Sequence, residues 1–349
     1  MQFLCQTAVL GKLEIYCIFD LANLLFRTTS KMKISILIPV HDYDIVALIH
    51  WMKGGMEKVP EFAEIIIGDD GSSEDYKKKY QALAVDKVKL VSSEKNIGRA
   101  SIRNRLIDEA SGDYLLFIDA DTRIRGTAAE YLQKWTENIN RARVISGGIL
   151  YSDTPPGDPD LMLRWKFGRL RQQKKASYRN KHPYSSFTTF NVMIERSVFS
   201  KFRFYEELKR YGHEDTLFSY QLNKAGIPIF HIDNGLIHEG LESNKDYLFK
   251  TKDSIENLSK LYDNVTDKIT FSSTIPILRV YQLLNILRLS RLFALVFIRF
   301  RERMEIRLDS AKVCLPLFSL YKISMFCTYR EIHNRRKLLP IFKIPPDII

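Results

Sequence analysis

The 349-residue sequence predicts an α/β fold: a mostly parallel sheet with helices on both faces, continued by a helical, basic, amphipathic C-terminal extension. Three observations predict it. Short apolar runs at 34–40, 65–67 and 115–118 are too brief for helices and read as strands, and 87–91 reads as a further strand between them. Single stretches of helical character separate them, which is the pattern of βαβ units. Beyond residue 261 the strand pattern stops, and apolar residues recur among arginines.

The length suits one large or two modest domains with a full core. With 45% hydrophobic and 27% charged residues the composition is that of a globular protein. The net charge of +12 is uneven: residues 276–349 hold fourteen Lys/Arg against five Asp/Glu, or +9 of the total. The rest is close to neutral, which argues against nucleic acid as a partner. Cys5, Cys17, Cys314 and Cys327 have no metal-site spacing and imply no disulfide framework, so a reducing, cytoplasmic location is expected. Residues 1–31 are apolar, but Lys12, Glu14 and Asp20 interrupt every run and no cleavage site follows. Met32-Lys33 directly precedes the first strand and would be a natural start, so 1–31 is expected to be an upstream extension or a peripheral helix.

The elements follow in order. The first strand, 34–40, ends in His41-Asp42, and a helix is expected over 45–52. The second runs into Gly68-Asp69-Asp70-Gly71-Ser72-Ser73, where Ser73 is a suitable cap for a helix over 74–83. A third strand leads through Asn96-Ile97-Gly98 to a helix over 100–110 that carries Arg103 and Arg105, with Arg99 just before it. The fourth ends in Asp119-Ala120-Asp121. Taken alone, that pair supplies turn chemistry and a helix cap. In a parallel sheet, however, all strands present their carboxyl ends on one edge, where ligands bind. Asp42, Asp69, Asp70, Asp119 and Asp121 would gather there and raise one another's pKa values unless a cation or hydrogen-bond donors sat among them. A hard divalent cation sharing its shell with a phosphate ligand meets that need, and Arg99 and Arg103 are placed to cover the same phosphates.

Ser35-Ile36-Leu37-Ile38-Pro39-Val40, Asp69-Asp70-Gly71-Ser72, Asn96-Ile97-Gly98 with Ile102-Arg103-Asn104, and Asp119-Ala120-Asp121 resemble, in that order and spacing, the nucleotide-sugar half of family 2 glycosyltransferases. The resemblance runs from about residue 33 to about residue 259. It implies the GT-A fold with its Rossmann-like sheet, and an inverting transferase that takes a sugar from a nucleoside diphosphate donor, usually UDP-linked, with Mn2+ or Mg2+ on the pyrophosphate. By that resemblance Pro39, Asp42 and Asp70 line the nucleoside pocket, Arg103 faces the nucleotide, and Asp119 and Asp121 hold ribose, metal and pyrophosphate. Asp42 stands where the family often has Asn, and which of Asp69 and Asp70 meets the base stays open.

The second half is expected to hold the acceptor. It reads as a strand over 143–150, a loop over 153–159, and a strongly basic amphipathic helix over 161–175 that is either a solvated face or a flap near an anionic acceptor or product. Residues 186–191 return to the sheet. Tyr211-Gly212-His213-Glu214-Asp215 resembles the family's Gly-x-Glu-Asp element, although on its own an acidic pair suits any helix start. The acceptor hydroxyl must lose its proton as it attacks, which requires a base. The resemblance assigns that role to Asp215, with Glu214 binding sugar hydroxyls and the metal stabilising charge on the departing phosphate. His238 follows a strand over 227–232, in which Pro228 indicates an edge or a strand start. It reads as structural or, by resemblance to relatives with this layout, as a further metal ligand, since Mn2+ accepts mixed nitrogen and oxygen donors. His213 and His231 read as structural.

In the tail, Leu278, Leu283, Leu284, Leu287, Leu292, Leu295, Val296 and Ile298 lie among Arg279, Arg288, Arg291, Arg299, Arg301, Arg303 and Arg307. Its uncharged run at 292–298 falls short of the ~20 residues a span requires, and Pro316 and Lys322 interrupt 313–329. Two readings remain: helices lying in an anionic membrane surface, or an internal helical subdomain. The expected organisation is an extension over 1–31, a GT-A domain over 32–260 (nucleotide-sugar half 32–150, acceptor half 151–260) and a membrane-associating helical region over 261–349. The expected function is transfer to a glycan or lipid-linked acceptor in cell-surface polysaccharide synthesis, peripheral on the inner face of the membrane. A haloacid dehalogenase-type phosphohydrolase also uses Asp-x-Asp after a strand. Against it, Arg123 replaces the usual Thr or Val, and there is no early nucleophile strand. A non-catalytic nucleotide-sugar-binding or scaffold protein is disfavoured by the intact Asp119, Asp121, Glu214 and Asp215.

Overall fold

The computed structural model describes residues 32–207 and 212–333, so the expected N-terminal extension, Tyr211 and the last part of the basic tail lie outside the described residues. The first half alternates as the sequence predicts: β1 (Ile34–Val40), α1 (Val46–Met56), β2 (Phe62–Asp69), α2 (Glu74–Leu83), β3 (Val88–Ser92), α3 (Arg99–Glu109) and β4 (Tyr114–Ile118). Successive strand side chains point to opposite faces, and the core divides accordingly. Ile36, Ile38, Ile65, Ile67 and Leu116 pack with Ile49, Met52, Tyr80 and Trp135 on one face. Leu37, Ile66, Leu115 and Phe117 pack with Leu106, Ile107, Phe218 and Leu222 on the other. Strands buried on both faces are continuous apolar runs because both layers of helices exclude water from them.

The chain continues through β5 (Thr122–Arg123), α4 (Ala128–Asn138), β6 (Val144–Ser146), β7 (Ile149–Leu150), α5 (Met162–Phe167), α6 (Ala176–Arg179), β8 (Asn191–Glu195), α7 (Glu214–Lys224), β9 (Ile229–His231) and β10 (Leu236–His238). The main sheet has the order β3-β2-β1-β4-β8-β6-β9, and β5-β10-β7 form a small second sheet. In the main sheet neighbouring strands are parallel except at β8, which runs antiparallel to both β4 and β6. The register pairs Val40 with Asp69 and Leu37 with Phe117, so the carboxyl ends of β2, β1 and β4 emerge on one edge.

Beyond it, α8 (Asn244–Asn264), α9 (Lys268–Thr274), α10 (Pro276–Ile286), α11 (Ser290–Leu308) and α12 (Leu315–His333) form a helical layer. Its own core contains Leu258, Phe271, Leu278, Phe297, Phe318, Tyr321 and Phe326, together with Leu163 and Tyr220 from the α/β part. By packing, α8 thus belongs with the helices that follow it, ahead of the division expected at 261. Arg330 of α12 is 3% exposed and pairs with Asp263 of α8 at 2.6 Å, so the inward side of this region packs on α8. No helix among the described residues is long and apolar enough to cross a membrane.

Three local expectations change. The strand expected over 143–150 is split between two sheets, because the chain turns at Gly147-Gly148. The basic helix expected over 161–175 is one short α-helix followed by a π-helical turn at Gly168–Gln172, the kind of irregularity that often accompanies a site. Its Arg164 is buried instead of solvated. Ser73 does stand at the start of α2, but its hydroxyl caps nothing and instead donates to Asp42 at 3.0 Å.

Candidate active site

A cleft of about 810 Å3 opens at the shared strand edge and reaches the helical layer. Pro39, Asp70, Arg103, Asp119, Asp121, Glu214, Asp215 and His238 all line it, whereas Asp42 and Asp69 do not.

At one end of the cleft the loops are tied to one another. Asp42 has a left-handed backbone (φ 47°), and its carboxylate accepts from the Ser73 amide at 2.8 Å and the Ser73 hydroxyl at 3.0 Å. Those bonds hold its pKa below the ordinary value and join the loops after β1 and β2. Asp70 accepts the amides of Ile97 (2.7 Å) and Gly98 (3.1 Å), fixing the loop that launches α3. A Cβ on Gly71 (φ 73°) would come within 2.3 Å of the Lys95 carbonyl carbon, so only glycine permits this approach. Asp69 is fully buried beneath: one oxygen accepts the Ser72 amide at 2.9 Å and the other has no partner among the described residues.

Asp119 stands at the end of β4 between two arginines of α3. Arg103, 1% exposed, meets it at 2.7 Å and Arg99 at 3.2 Å. Burial pushes Asp119 up, but the Arg103 and Arg99 charges outweigh that and hold its pKa below the usual range. Arg99 also reaches Glu214 at 3.5 Å, so one guanidinium links the Asp-x-Asp strand to the start of α7.

Asp121 has the opposite environment. Burial, and then the Asp119 charge, push it up to about 6. The antiparallel pairing of β5 with β10 sets His238 opposite Thr122 and brings its Nε2 to 3.3 Å from Asp121 Oδ2. Burial, and then Arg164, push His238 down to about 3, so it is neutral with a lone pair to offer. Its Nδ1 has no partner among the described residues. A Cβ on Gly240 would lie 2.1 Å from Asp121 Oδ2; the glycine keeps that space clear for the carboxylate. One carboxylate under strain from a like charge beside one neutral imidazole fits a divalent cation whose other ligands come from a phosphate or water. Among the described residues no group of three or more His, Cys, Asp or Glu could hold a metal.

Asp215 occupies the first turn of α7. Its oxygens accept from Thr189 Oγ1 at 2.7 Å, Thr188 Oγ1 at 3.1 Å and the Thr189 amide at 3.2 Å, all from the segment that enters β8. Burial and then Glu214 raise its pKa above the ordinary carboxylate value. His213 precedes the pair with a left-handed backbone (φ 74°), a costly conformation for a non-glycine residue and one that gathers at functional sites. Its ring nitrogens lie 3.1 Å from both Thr216 Oγ1 and Ser254 Oγ, and burial pushes it down to about 4. It lines the cleft as a neutral, packed group, whereas His231 lies outside the cleft lining, between Arg179 (2.8 Å) and the Pro183 carbonyl (2.9 Å).

Sequence reasoning missed Thr188 and Thr189, whose role depends on a contact with Asp215, and Tyr43, Arg164, Lys250 and Lys322, which line the cleft from elements distant in the chain. The only advance signal was the basic stretch containing Arg164.

The family model of glycosyl transferase family 2 matches residues 35–203. An uncharacterized glycosyltransferase of Rickettsia bellii is 33% identical over 122 residues, covering 34% of this chain and 17% of that protein. The cholesterol galactosyltransferase of Borreliella burgdorferi is 28% identical over 129 residues, covering 35% of this chain and 32% of that protein. The chain therefore spans under a fifth of the length of the first of these relatives and about a third of the second. Among solved structures, the mannosyltransferase PcManGT from Pyrobaculum calidifontis, in complex with GDP-Man and Mn2+, aligns over 88% of each chain with a TM-score of 0.51 and 10% identity, a likeness of fold. The matched segment carries β1 to β4, both arginines and the Asp-x-Asp pair, so residues 35–203 of this chain, in a GT-A-like α/β fold, are similar to glycosyl transferase family 2.

Proposed function

We propose that this glycosyltransferase is inverting and moves a hexosyl or N-acetylhexosaminyl group from a UDP-linked donor to a hydroxyl of a glycan or lipid-linked acceptor in polysaccharide synthesis. The observation that carries the reading is the division of one cleft. An arginine-paired carboxylate and a carboxylate–imidazole pair stand on one wall, and a separately held carboxylate with a raised pKa stands across Arg99 from them.

In this reading Pro39 and Asp70 border the nucleoside, with Asp42 and Asp69 fixing the loops around it. Arg103 and Arg99 face the diphosphate, held in place by Asp119. Asp121 and His238 hold Mn2+ or Mg2+, which when bound stabilises negative charge on the leaving diphosphate. Mn2+ is also the ion with which PcManGT was solved. Asp215 accepts the acceptor hydroxyl's proton as that oxygen bonds to the anomeric carbon and the carbon–oxygen bond to the diphosphate breaks on the opposite face. Glu214 binds sugar hydroxyls. Thr188 and Thr189 keep Asp215 aimed into the cleft.

The outer face of α10 and α11 supports a peripheral position on the cytoplasmic leaflet of an anionic membrane. Leu283, Ile286, Leu287 and Leu292 are exposed there beside the exposed Arg279, Arg288 and Arg291. A screen of UDP-, GDP- and TDP-sugars for thermal stabilisation and cation-dependent donor hydrolysis tests the catalytic reading. It predicts a response to a UDP-sugar, and silence across the whole set would remove it.

A further inference from the structure

One cation in the cleft has no part in the scheme above. Lys322 comes from α12, and its ammonium lies 4.3 Å from the Phe167 ring centroid and 4.6 Å from that of Phe318. It lines the same cleft as Asp215, and no carboxylate among the described residues pairs with it. Burial, with Arg171 adding to it, pushes the ammonium down to about 8, and no acidic neighbour opposes the shift. Aromatic faces offset part of the cost of withdrawing such a charge from water, but a counter-anion offsets far more.

Two features place this cation at the acceptor end. Its charge is felt by His213, the residue just before Glu214 and Asp215. It also shares an aromatic cluster with Arg164: Phe318 packs on Phe167 (5.4 Å) and Tyr247 (5.7 Å), and Arg164 lies 5.2 Å from the Tyr247 ring. Leu258 and Ile277 add apolar wall beside it. A compact ammonium with three donors on a flexible stem meets a phosphate as a point charge, where an arginine fork would meet it bidentately.

We propose that Lys322 binds a phosphate group carried by the acceptor, so that the acceptor is a phosphate-bearing glycan or lipid. This rests on the reading of the cleft as a transferase site. The bound phosphate supplies the counter-anion that the protein withholds, and it orients the acceptor hydroxyl toward Asp215. Its source is either a lipid-linked phosphate or a phosphate within a polar glycan chain.

The test uses the full chain with the donor side saturated by UDP and Mg2+, and calorimetric titration of inorganic phosphate, octyl phosphate and, as the neutral control, octyl glucoside. Both phosphates should bind the native protein. Lys322→Gln should weaken them at least about ten-fold, Lys322→Arg should restore most of the loss, and UDP affinity should be the same in all three. Octyl phosphate binding far more tightly than inorganic phosphate identifies a lipid-linked source, and equal binding a polar chain; either result supports the site. No phosphate binding to the UDP-loaded native protein, or equal binding to Lys322→Gln, overturns it. Failure of UDP itself to bind would instead strike the transferase reading. Lys322→Gln should melt no lower than the native protein, because it removes a half-buried charge that has no carboxylate partner among the described residues.

Discussion

In the proposed reading, Asp215 is one side chain held ready for chemistry at some cost to the fold. Its pKa is raised by burial and then by Glu214. A folded-state pKa above the unfolded one means that the protonated form is favoured by folding. That contribution is complete below the ordinary carboxylate range and is lost as pH rises through the raised value. Asp215→Asn resembles the protonated form, so its thermal midpoint at pH 7 should equal or exceed the native one, while sugar transfer falls by about 10^2–10^4-fold and UDP affinity stays the same. Activity near the native level, or a clear loss of stability, would reassign Asp215. Glu64 behaves in the opposite way. Burial disfavours its charge, but Lys89, Ser111 and Ser35, each bonded to it at 2.7 Å, bring its pKa from 4.5 down to about 2. Its contribution is present above 4.5 and lost as pH falls toward about 2. Glu64→Gln should therefore cost about 2 kcal/mol in chemical denaturation at pH 7, a deficit that narrows in acid. The sequence showed Asp119 and Asp121 as candidates because they follow a strand, and Asp215 through its resemblance to the family's Gly-x-Glu-Asp element. It could not show Glu64, whose importance depends on three partners in three other segments.

At the scale of elements, the alternation of strands and helices was legible because both faces of β1, β2 and β4 are covered and their residues are accordingly apolar. Where the sequence misled, a glycine was the cause: Gly147-Gly148 divides one expected strand between two sheets, and Gly168, packed on the Tyr151 ring, ends the regular α-helix. The small sheet was invisible beforehand, since strands as short as β5 and β10 carry no periodicity, yet it sets His238 beside Asp121. Gly240 follows directly, and a methyl group there would collide with the Asp121 carboxylate. Gly240→Ala should therefore lower the cation's effect on UDP affinity by at least about ten-fold, read by calorimetry, while the melting temperature moves by only a few degrees. An unchanged cation response would show that Asp121 has room elsewhere and that this pair is not the metal site.

Across the whole molecule, the helical layer is part of the cleft, because Ile277, Phe318 and Lys322 line it together with residues of the sheet edge. That closure brings residues more than two hundred positions apart into one site, and nothing local in the sequence announces it. It also changes how membrane contact is to be tested. Ending the chain near residue 260 would strip the partners from Leu248, Ile255 and Leu258 and damage the fold. Surface substitutions avoid this. Leu283→Ser, Ile286→Ser and Leu287→Ser together should reduce co-sedimentation with anionic vesicles several-fold and leave donor hydrolysis intact, since all three are exposed on α10 or just after it. Undiminished vesicle binding by the triple variant would place the contact elsewhere.

The central claim is that Asp121 and His238 present a divalent cation to a nucleoside diphosphate at the edge of β4. It is tested most directly by calorimetric titration of UDP into the native chain and into Asp121→Ala, each with and without Mn2+. The account predicts one UDP per native chain, bound more tightly with Mn2+, and loss of the Mn2+ effect in the variant. UDP binding that responds equally to Mn2+ in both proteins would contradict it.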